Sequence, residues 1–419
     1  MVPLKASKIC IVEGIEEVDV LRQRARRLES GIEADSIEHV GDAELHQVVT
    51  ENKLNSSTRH GMNPDFEPII IFNKFRFDEP AEMKEKRRAE FPALFANARH
   101  NISGYGGFDW RDSGSKTYRE RTGLVCQPAW QIHTIWGCHY RCAYCSLGKY
   151  INIMINMEEF VERLDGYIEK APRQTLYQYD NGTDTVCFEP EYGSSRLLVE
   201  YFARREKEYL ELYVGKSDNV DYLLNLDHRG HTVCCWSISG ETQSTYFESG
   251  TASMHDRIAS AQRCQEAGYH VRFRLSPIIP VRNWKTENRE MIEHLLAQVR
   301  PDVITFETLR FLNYDAIEKS FDLSLLEPDF MQVMQENQGE KHIQGGEMPH
   351  DYRKKVYRFI IDELERVSPQ TPYALCRAPR VMWDEFTEDF AKHDQTPDYY
   401  VCNCGPTSAP GHELLQAYI

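Results

Sequence analysis

Between about residues 130 and 310, short β-rich apolar runs alternate with stretches of helical periodicity, the pattern of successive βα units feeding a parallel sheet. Six runs read as strands: Gln131–Ile135, Asp184–Phe188, Glu211–Val214, Thr232–Ile238, Val271–Leu275 and Val303–Glu307. Between them, Met157–Lys170 reads as a helix with Asn156 as N-cap and Glu159 at the capping-box position. Ser253–Ala267 starts at a serine and stops before Gly268. Six such units predict an α/β fold with a partial (β/α)6 barrel rather than a closed eight-stranded one, with chemistry at the C-terminal strand ends. No internal repeat is visible.

Outside this region the pattern is weaker. The segment 1–120 reads as a small α/β N-terminal extension with the strand-like run Pro68–Phe72. Its charge run Lys84-Glu85-Lys86-Arg87-Arg88 mixes signs at helical spacing and predicts a solvated helix face. Residues 101–123, rich in Gly, Ser and aromatics, read as a loop leading into the core barrel at 121–325. The segment 326–419 reads as a C-terminal helical cap containing the helix Tyr352–Val367 and a cysteine-bearing tail.

The first predicted strand runs directly into Trp-Gly-Cys-His-Tyr-Arg-Cys-Ala-Tyr-Cys-Ser, where Cys138, Cys142 and Cys145 stand at C-x3-C-x2-C spacing. Three thiolates from one loop leave one iron of a [4Fe-4S] cluster without a protein ligand, free to chelate the amino and carboxylate groups of S-adenosylmethionine (SAM). Reductive cleavage of SAM there yields a 5′-deoxyadenosyl radical. A zinc site would want a fourth Cys or His, and His139, wedged between two ligands, is poorly placed for it. Structural cysteines are the other alternative.

Composition narrows the setting. The chain is 419 residues long with 41% hydrophobic and 27% charged residues, ordinary for a globular protein. It has no run of 18 or more apolar residues and no leader-like N-terminus, and its 12 cysteines lack the spacing of a secreted disulfide scaffold. The expectation is a cytoplasmic protein without a membrane partner. With 49 Lys and Arg against 65 Asp and Glu the net charge is −16, which repels polyanions at long range and argues against nucleic acid.

The run from Trp236 to Pro280, with its Phe247-Glu248-Ser249-Gly250-Thr251 turn, and Ile304–Glu307 followed by Arg310-Phe311, resemble the spore photoproduct lyase-like family of radical SAM enzymes. The likeness covers roughly residues 120–320. It implies a SAM pocket: Tyr144 against the adenine, Ser194 near the methionine amino group, Lys216 facing the carboxylate, Ser237 on ribose or methionine, and Ser276 lining the adenosine. It also implies an external electron donor such as flavodoxin or ferredoxin. The chain departs from the family pattern in two places. Tyr192 stands at the position assigned to the hydrogen-donor cysteine, and Ser146 stands where the family has a tyrosine.

Other thiols are therefore weighed as hydrogen donors. Cys187 reads as core packing; of the adjacent Cys234 and Cys235, Cys235 shares its strand face with Ser237. Cys402 and Cys404 could reach over the barrel mouth, or join Cys376 and Cys126 in a second cluster or metal site. The expected function is a radical SAM enzyme acting on a sugar, small metabolite or peptide by epimerisation, lysis or rearrangement. The alternatives are repair of thymine dimers in DNA and non-catalytic metal binding.

Overall fold

Six parallel strands follow one another in chain order: Ala129–Ile132, Leu176–Tyr179, Tyr209–Gly215, Thr232–Ser237, His270–Ile278 and Ile304–Thr308. They form the centre of an eight-stranded sheet in a computed structural model that describes residues 1–56, 60–62, 67–97, 100–147, 149–337 and 348–418. Tyr373–Leu375 adds in parallel at one edge, and Phe108–Arg111 closes the other edge antiparallel to the first strand. Leu210, Leu212, Cys234, Trp236, Phe273 and Leu275 point to one side and are fully or almost fully buried in the main core under the helices. The alternate positions, Glu211, Tyr213, Cys235, Ser237, Arg272, Arg274 and Ser276, make the opposite face unusually polar.

Four of the six expected strands are present, the first is split, with Ala129–Ile132 in the large sheet and Ile135–Trp136 in the N-terminal one, and the second is displaced. Asp184–Phe188 is a turn of 3-10 helix, whereas the strand is Leu176–Tyr179, whose LYQY sequence alternates less plainly between apolar and polar. The helix expected over Met157–Lys170 breaks at Arg163 into Met157–Glu162 and Leu164–Ile168. Asn156 precedes it without capping it: its side chain accepts from Phe75 N–H at 2.7 Å and donates to Phe75 O at 3.0 Å and Glu159 Oε2 at 2.6 Å, stitching the helix to the N-terminal segment. Ser253 does cap its helix, Met254–Glu266, by accepting from Asp256 N–H.

The N-terminal region has its own five-stranded sheet, built from Lys8–Val12, Ile37–Val40 and Ile69–Asn73 together with two strands that flank the cysteine loop, Ile135–Trp136 and Tyr150–Met154. The boundary expected near residue 120 is therefore crossed by backbone pairing. The charge run lies on the helix Ala81–Glu90, but Arg87 is buried and makes a bidentate pair with Asp42 at 2.7 and 2.8 Å rather than facing solvent. The glycine-rich segment expected to be a loop contains the edge strand Phe108–Arg111 and the helix Lys116–Thr122. The C-terminal region supplies the helix His350–Val367 and also a strand of the large sheet. No described helix is long and apolar enough to cross a membrane.

Candidate functional site

The cysteine loop is tethered at three points. Gly137 turns it with φ +103°, and a Cβ there would stand 2.1 Å from Tyr150 O. Cys142 lies in a two-residue strand, Arg141–Cys142, paired antiparallel with Glu248–Ser249. Ala143 N–H donates to Phe247 O at 2.8 Å. Cys138 and Cys145 remain partly exposed while Cys142 is buried. Burial pushes the Cys142 thiol up to about 12, partly opposed by Lys216, and Cys138 is raised by burial, Asp184 and its two sister thiols. The three thiols thus feel one another from a single partly open loop, a soft donor set that fits three irons of a cluster better than a closed four-ligand zinc site. Among the described residues, no group of three or more Cys, His, Asp or Glu is arranged so that it could hold a metal ion, so the three thiols would have to turn inward to bind a cluster.

That strand pairing brings Glu248 into the centre of the site. Its Oε1 accepts from the Tyr144 hydroxyl at 2.9 Å and from Gln243 Nε2 at 2.9 Å, and its Oε2 accepts from Ser239 at 3.0 Å and pairs with Arg257 at 2.8 Å. Burial would raise this carboxyl, but Lys216 and Arg257 outweigh it and hold Glu248 at about 2. Lys216 reaches the same carboxylate at 3.8 Å, donates to Ser276 O at 3.5 Å, and lies 6.0 Å from the Tyr144 ring centroid. Its backbone N–H donates to Asp184 Oδ2 at 2.7 Å. Lys216 is thus held at the cluster loop rather than solvated, with an ammonium positioned to meet an anionic ligand.

Ser237 and Ser276 continue from this group along the polar face. Ser237 Oγ is 2.7 Å from the Tyr213 hydroxyl, and Ser276 donates to Glu307 Oε1 at 2.6 Å. Arg274 stacks 5.4 Å from the Tyr213 ring and 3.8 Å from Glu307. Cys235 is the register partner of Tyr213 and Arg272, is fully buried, and accepts a weak hydrogen bond from Asn403 Nδ2 at 3.3 Å. Burial, then Glu211, raises its thiol well above the ordinary range, so Cys235 keeps its proton.

Two expected residues are not brought here. Tyr192 is fully buried and donates its hydroxyl to Met154 O at 2.8 Å, on the side of the N-terminal sheet. Ser194 opens the helix Ser194–Phe202 and is locked between Tyr179 at 2.6 Å and Glu189 at 3.0 Å, while Glu189 also accepts from the N–H groups of Gly193 and Ser195. Both rest on the family resemblance, which sets them just after a second strand at Asp184–Phe188. With that strand at Leu176–Tyr179, the residues at its C-terminal end are Asp180 to Asp184. There Asp180 accepts from Thr134 N–H at 3.0 Å and meets His133 Nδ1 at 2.5 Å, a buried pair that sequence reasoning missed.

The tail also lies elsewhere than expected. Pro406 O accepts from Thr175 and Leu176 N–H at 2.7 and 3.0 Å, at the beginning of the second strand, whereas the cluster loop follows the end of the first. Arg272 donates to Asn403 O at 3.0 Å and to Ser408 O at 2.6 Å, and Asn403 Nδ2 donates to Phe273 O at 2.9 Å. Cys402 and Cys404 therefore sit under the sheet's polar face, away from the cluster mouth. Glu248, Arg257, Ser239 and Gln243 were also missed. The Phe-Glu-Ser-Gly-Thr stretch was the available signal for Glu248, and only the strand pairing shows its role.

Comparison with known proteins bears on the family and the fold. Residues 128–359, more than half of the chain, match the family model described as spore photoproduct lyase. The spore photoproduct lyase of Clostridium acetobutylicum is 29% identical over 200 residues, covering 46% of this chain and 59% of that protein. The Bacillus subtilis protein is 31% identical over 207 residues, covering 46% and 60%. The match thus spans less than two thirds of these relatives' own length. A solved spore photoproduct lyase variant superposes with TM-score 0.60 at 18% identity, covering 88% of this chain and 98% of that one. Another, described with bound AdoMet and dinucleoside spore photoproduct, gives 0.58 at 16% identity over 88% and 98%. At such identities these two structures speak for the fold.

Proposed function

This chain belongs to the spore photoproduct lyase family, and on that footing we propose that it is a radical SAM enzyme that reverses a spore photoproduct-type thymine dimer in DNA. The observation that carries the reading is the pairing of the cysteine loop with Glu248–Ser249, which gathers three thiols, Tyr144, Lys216 and Arg257 around one end of the parallel strands. Cys138, Cys142 and Cys145 would hold three irons of a [4Fe-4S] cluster, Lys216 would face the SAM carboxylate, and Tyr144, Ser237 and Ser276 would line the rest of the pocket. When bound, cluster and SAM supply a 5′-deoxyadenosyl radical, with electrons from a flavodoxin- or ferredoxin-like donor. The six parallel strands would curve as a partial barrel around that pocket.

Cys235 then becomes the hydrogen donor to the product radical. It shares the strand face of Ser237, and its raised thiol holds the hydrogen such a step needs. The expectation of a sugar, metabolite or peptide substrate, and of epimerisation, gives way here. Net charge governs long-range attraction to duplex DNA, whereas the solved relative is described with a dinucleoside lesion that one pocket can hold. The test is anaerobic reconstitution with iron, sulfide, SAM and dithionite, followed by addition of dinucleoside spore photoproduct. Formation of 5′-deoxyadenosine together with thymidine products supports the reading. 5′-Deoxyadenosine without lesion turnover would remove the substrate assignment, and absence of both would remove the radical SAM assignment.

A further inference from the structure

Distant segments of the chain bring four thiols to one interior cavity. Cys126, ahead of the first parallel strand, Cys376, just past the edge strand Tyr373–Leu375, and Cys402 and Cys404 of the tail line a cavity of about 20 Å³. None is in a disulfide. Cys402 and Cys404 act on each other electrostatically, Cys402 also feels Cys126, and Cys376 feels both Cys404 and Cys126. The tail turn is shaped to allow this: a Cβ on Gly405 would stand 2.4 Å from Ser408 Oγ and 3.2 Å from Cys402 Sγ.

Packing of neutral thiols does not explain their surroundings. Arg111 is buried against Cys404, donating to its backbone oxygen at 2.8 Å, and its Nε has no hydrogen-bond partner. The largely buried Arg274 lines the same cavity, and both guanidiniums act electrostatically on Cys404. Buried cations demand compensating negative charge. Glu211, buried nearby, is a weak source of it: burial, then Cys404, raises its carboxyl to about 8, and neither of its oxygens has a hydrogen-bond partner. Arg377 lines the cavity too, and Glu307 at 3.8 Å already offsets part of the charge of Arg274; four thiolates on a divalent ion, with a net charge of −2, would offset what remains of the three guanidiniums.

Volume decides between the two kinds of centre. A space of this size takes a single ion or water rather than a second four-iron cluster. We propose that Cys126, Cys376, Cys402 and Cys404 bind one tetrahedral, thiophilic divalent ion, zinc ahead of iron, that fastens the tail beneath the sheet. Among the described residues no group of three or more His, Cys, Asp or Glu stands in an arrangement that could hold a metal ion, so binding here requires these four side chains to rotate toward the cavity. The four S–H groups lose four protons to solvent as four sulfur–metal bonds form, with no change of oxidation state.

The test uses the full chain with Cys138, Cys142 and Cys145→Ala, which empties the first site and makes the result independent of any SAM chemistry. Purified anaerobically from zinc-supplemented medium, it should retain ~1 zinc per chain, and cobalt exchanged into it should show thiolate charge-transfer and tetrahedral ligand-field bands. Adding Cys402→Ser and Cys404→Ser should abolish both. Since that variant could also unfold, the unmodified chain is alkylated with and without zinc chelation. Protection of Cys126, Cys376, Cys402 and Cys404 only when zinc is present supports the site. Less than about a tenth of an equivalent of zinc, cobalt without thiolate bands, equal alkylation in both arms, or a Cys402–Cys404 disulfide in the anaerobic protein would overturn it.

Discussion

Glu248 and Arg257 form an ion pair in which both side chains are fully buried, and each is further engaged: Arg257 donates to Thr251 at 2.7 Å and to Ser237 O at 3.2 Å. Removing one member of such a pair leaves the other charged and unpartnered, at a cost of about 3–5 kcal/mol. Glu248→Gln should therefore lower the denaturant midpoint by an equivalent amount and loosen the cysteine loop, measurable as reduced iron content after reconstitution. Lys216→Met should instead leave iron content intact while weakening SAM binding by ~10- to 100-fold, the worth of one charge-assisted contact, as read by equilibrium dialysis. An unchanged SAM affinity would remove Lys216 from the pocket. A third residue sets an acid limit. His100 stacks on Trp136 at 3.9 Å, bonds to the Tyr150 hydroxyl, and is lowered by burial to about 4. A histidine whose folded value lies below its unfolded one stabilises fully above the unfolded value, near 6.5, and loses that contribution as pH falls toward 4. Stability followed by Trp fluorescence should thus drop by about 2 kcal/mol across that window, and His100→Gln should flatten the drop.

At the scale of elements, the cysteine loop and the six-unit alternation were legible because each rests on local signals: thiol spacing, strand runs, and a serine cap and glycine stop at Ser253 and Gly268. The second strand was not. Leu176-Tyr177-Gln178-Tyr179 has no clean alternation, while Thr185-Val186-Cys187-Phe188 looks more strand-like by composition yet turns into a 3-10 helix. That displacement moved Tyr192 and Ser194 out of the pocket and hid Asp180. Glu248, Arg257 and the burial of Arg87 depend on pairings between distant segments, which no local pattern carries. The loop geometry makes a sharp comparison possible. Gly137→Ala drives a Cβ against Tyr150 O, whereas Gly123→Ala, at φ +68° with nothing within 4 Å, meets only backbone strain. The first should sharply reduce cluster loading; the second should cost about 1 kcal/mol and leave iron content unchanged.

Across the whole molecule, the tail is part of the sheet's floor rather than an appendage. Arg272, Thr175, Leu176 and Arg111 all direct hydrogen bonds to its backbone. Ending the chain before Tyr400 would strand these groups, so a truncated form should lose at least about 3 kcal/mol and bind hydrophobic dyes, while retention of full stability would show the tail to be dispensable. Such long-range closure explains why the tail's cysteines were visible in the sequence but their location was not.

The strand Tyr150–Met154 leaves the cysteine loop and at once becomes an inner member of the N-terminal sheet, paired with Ile69–Asn73 along its full length. Excising the first 120 residues would leave that strand with a naked edge of unsatisfied amides and the apolar side chains of Ile151 and Ile153 uncovered. Gene-fragment boundaries drawn by homology alone would therefore yield an aggregating product.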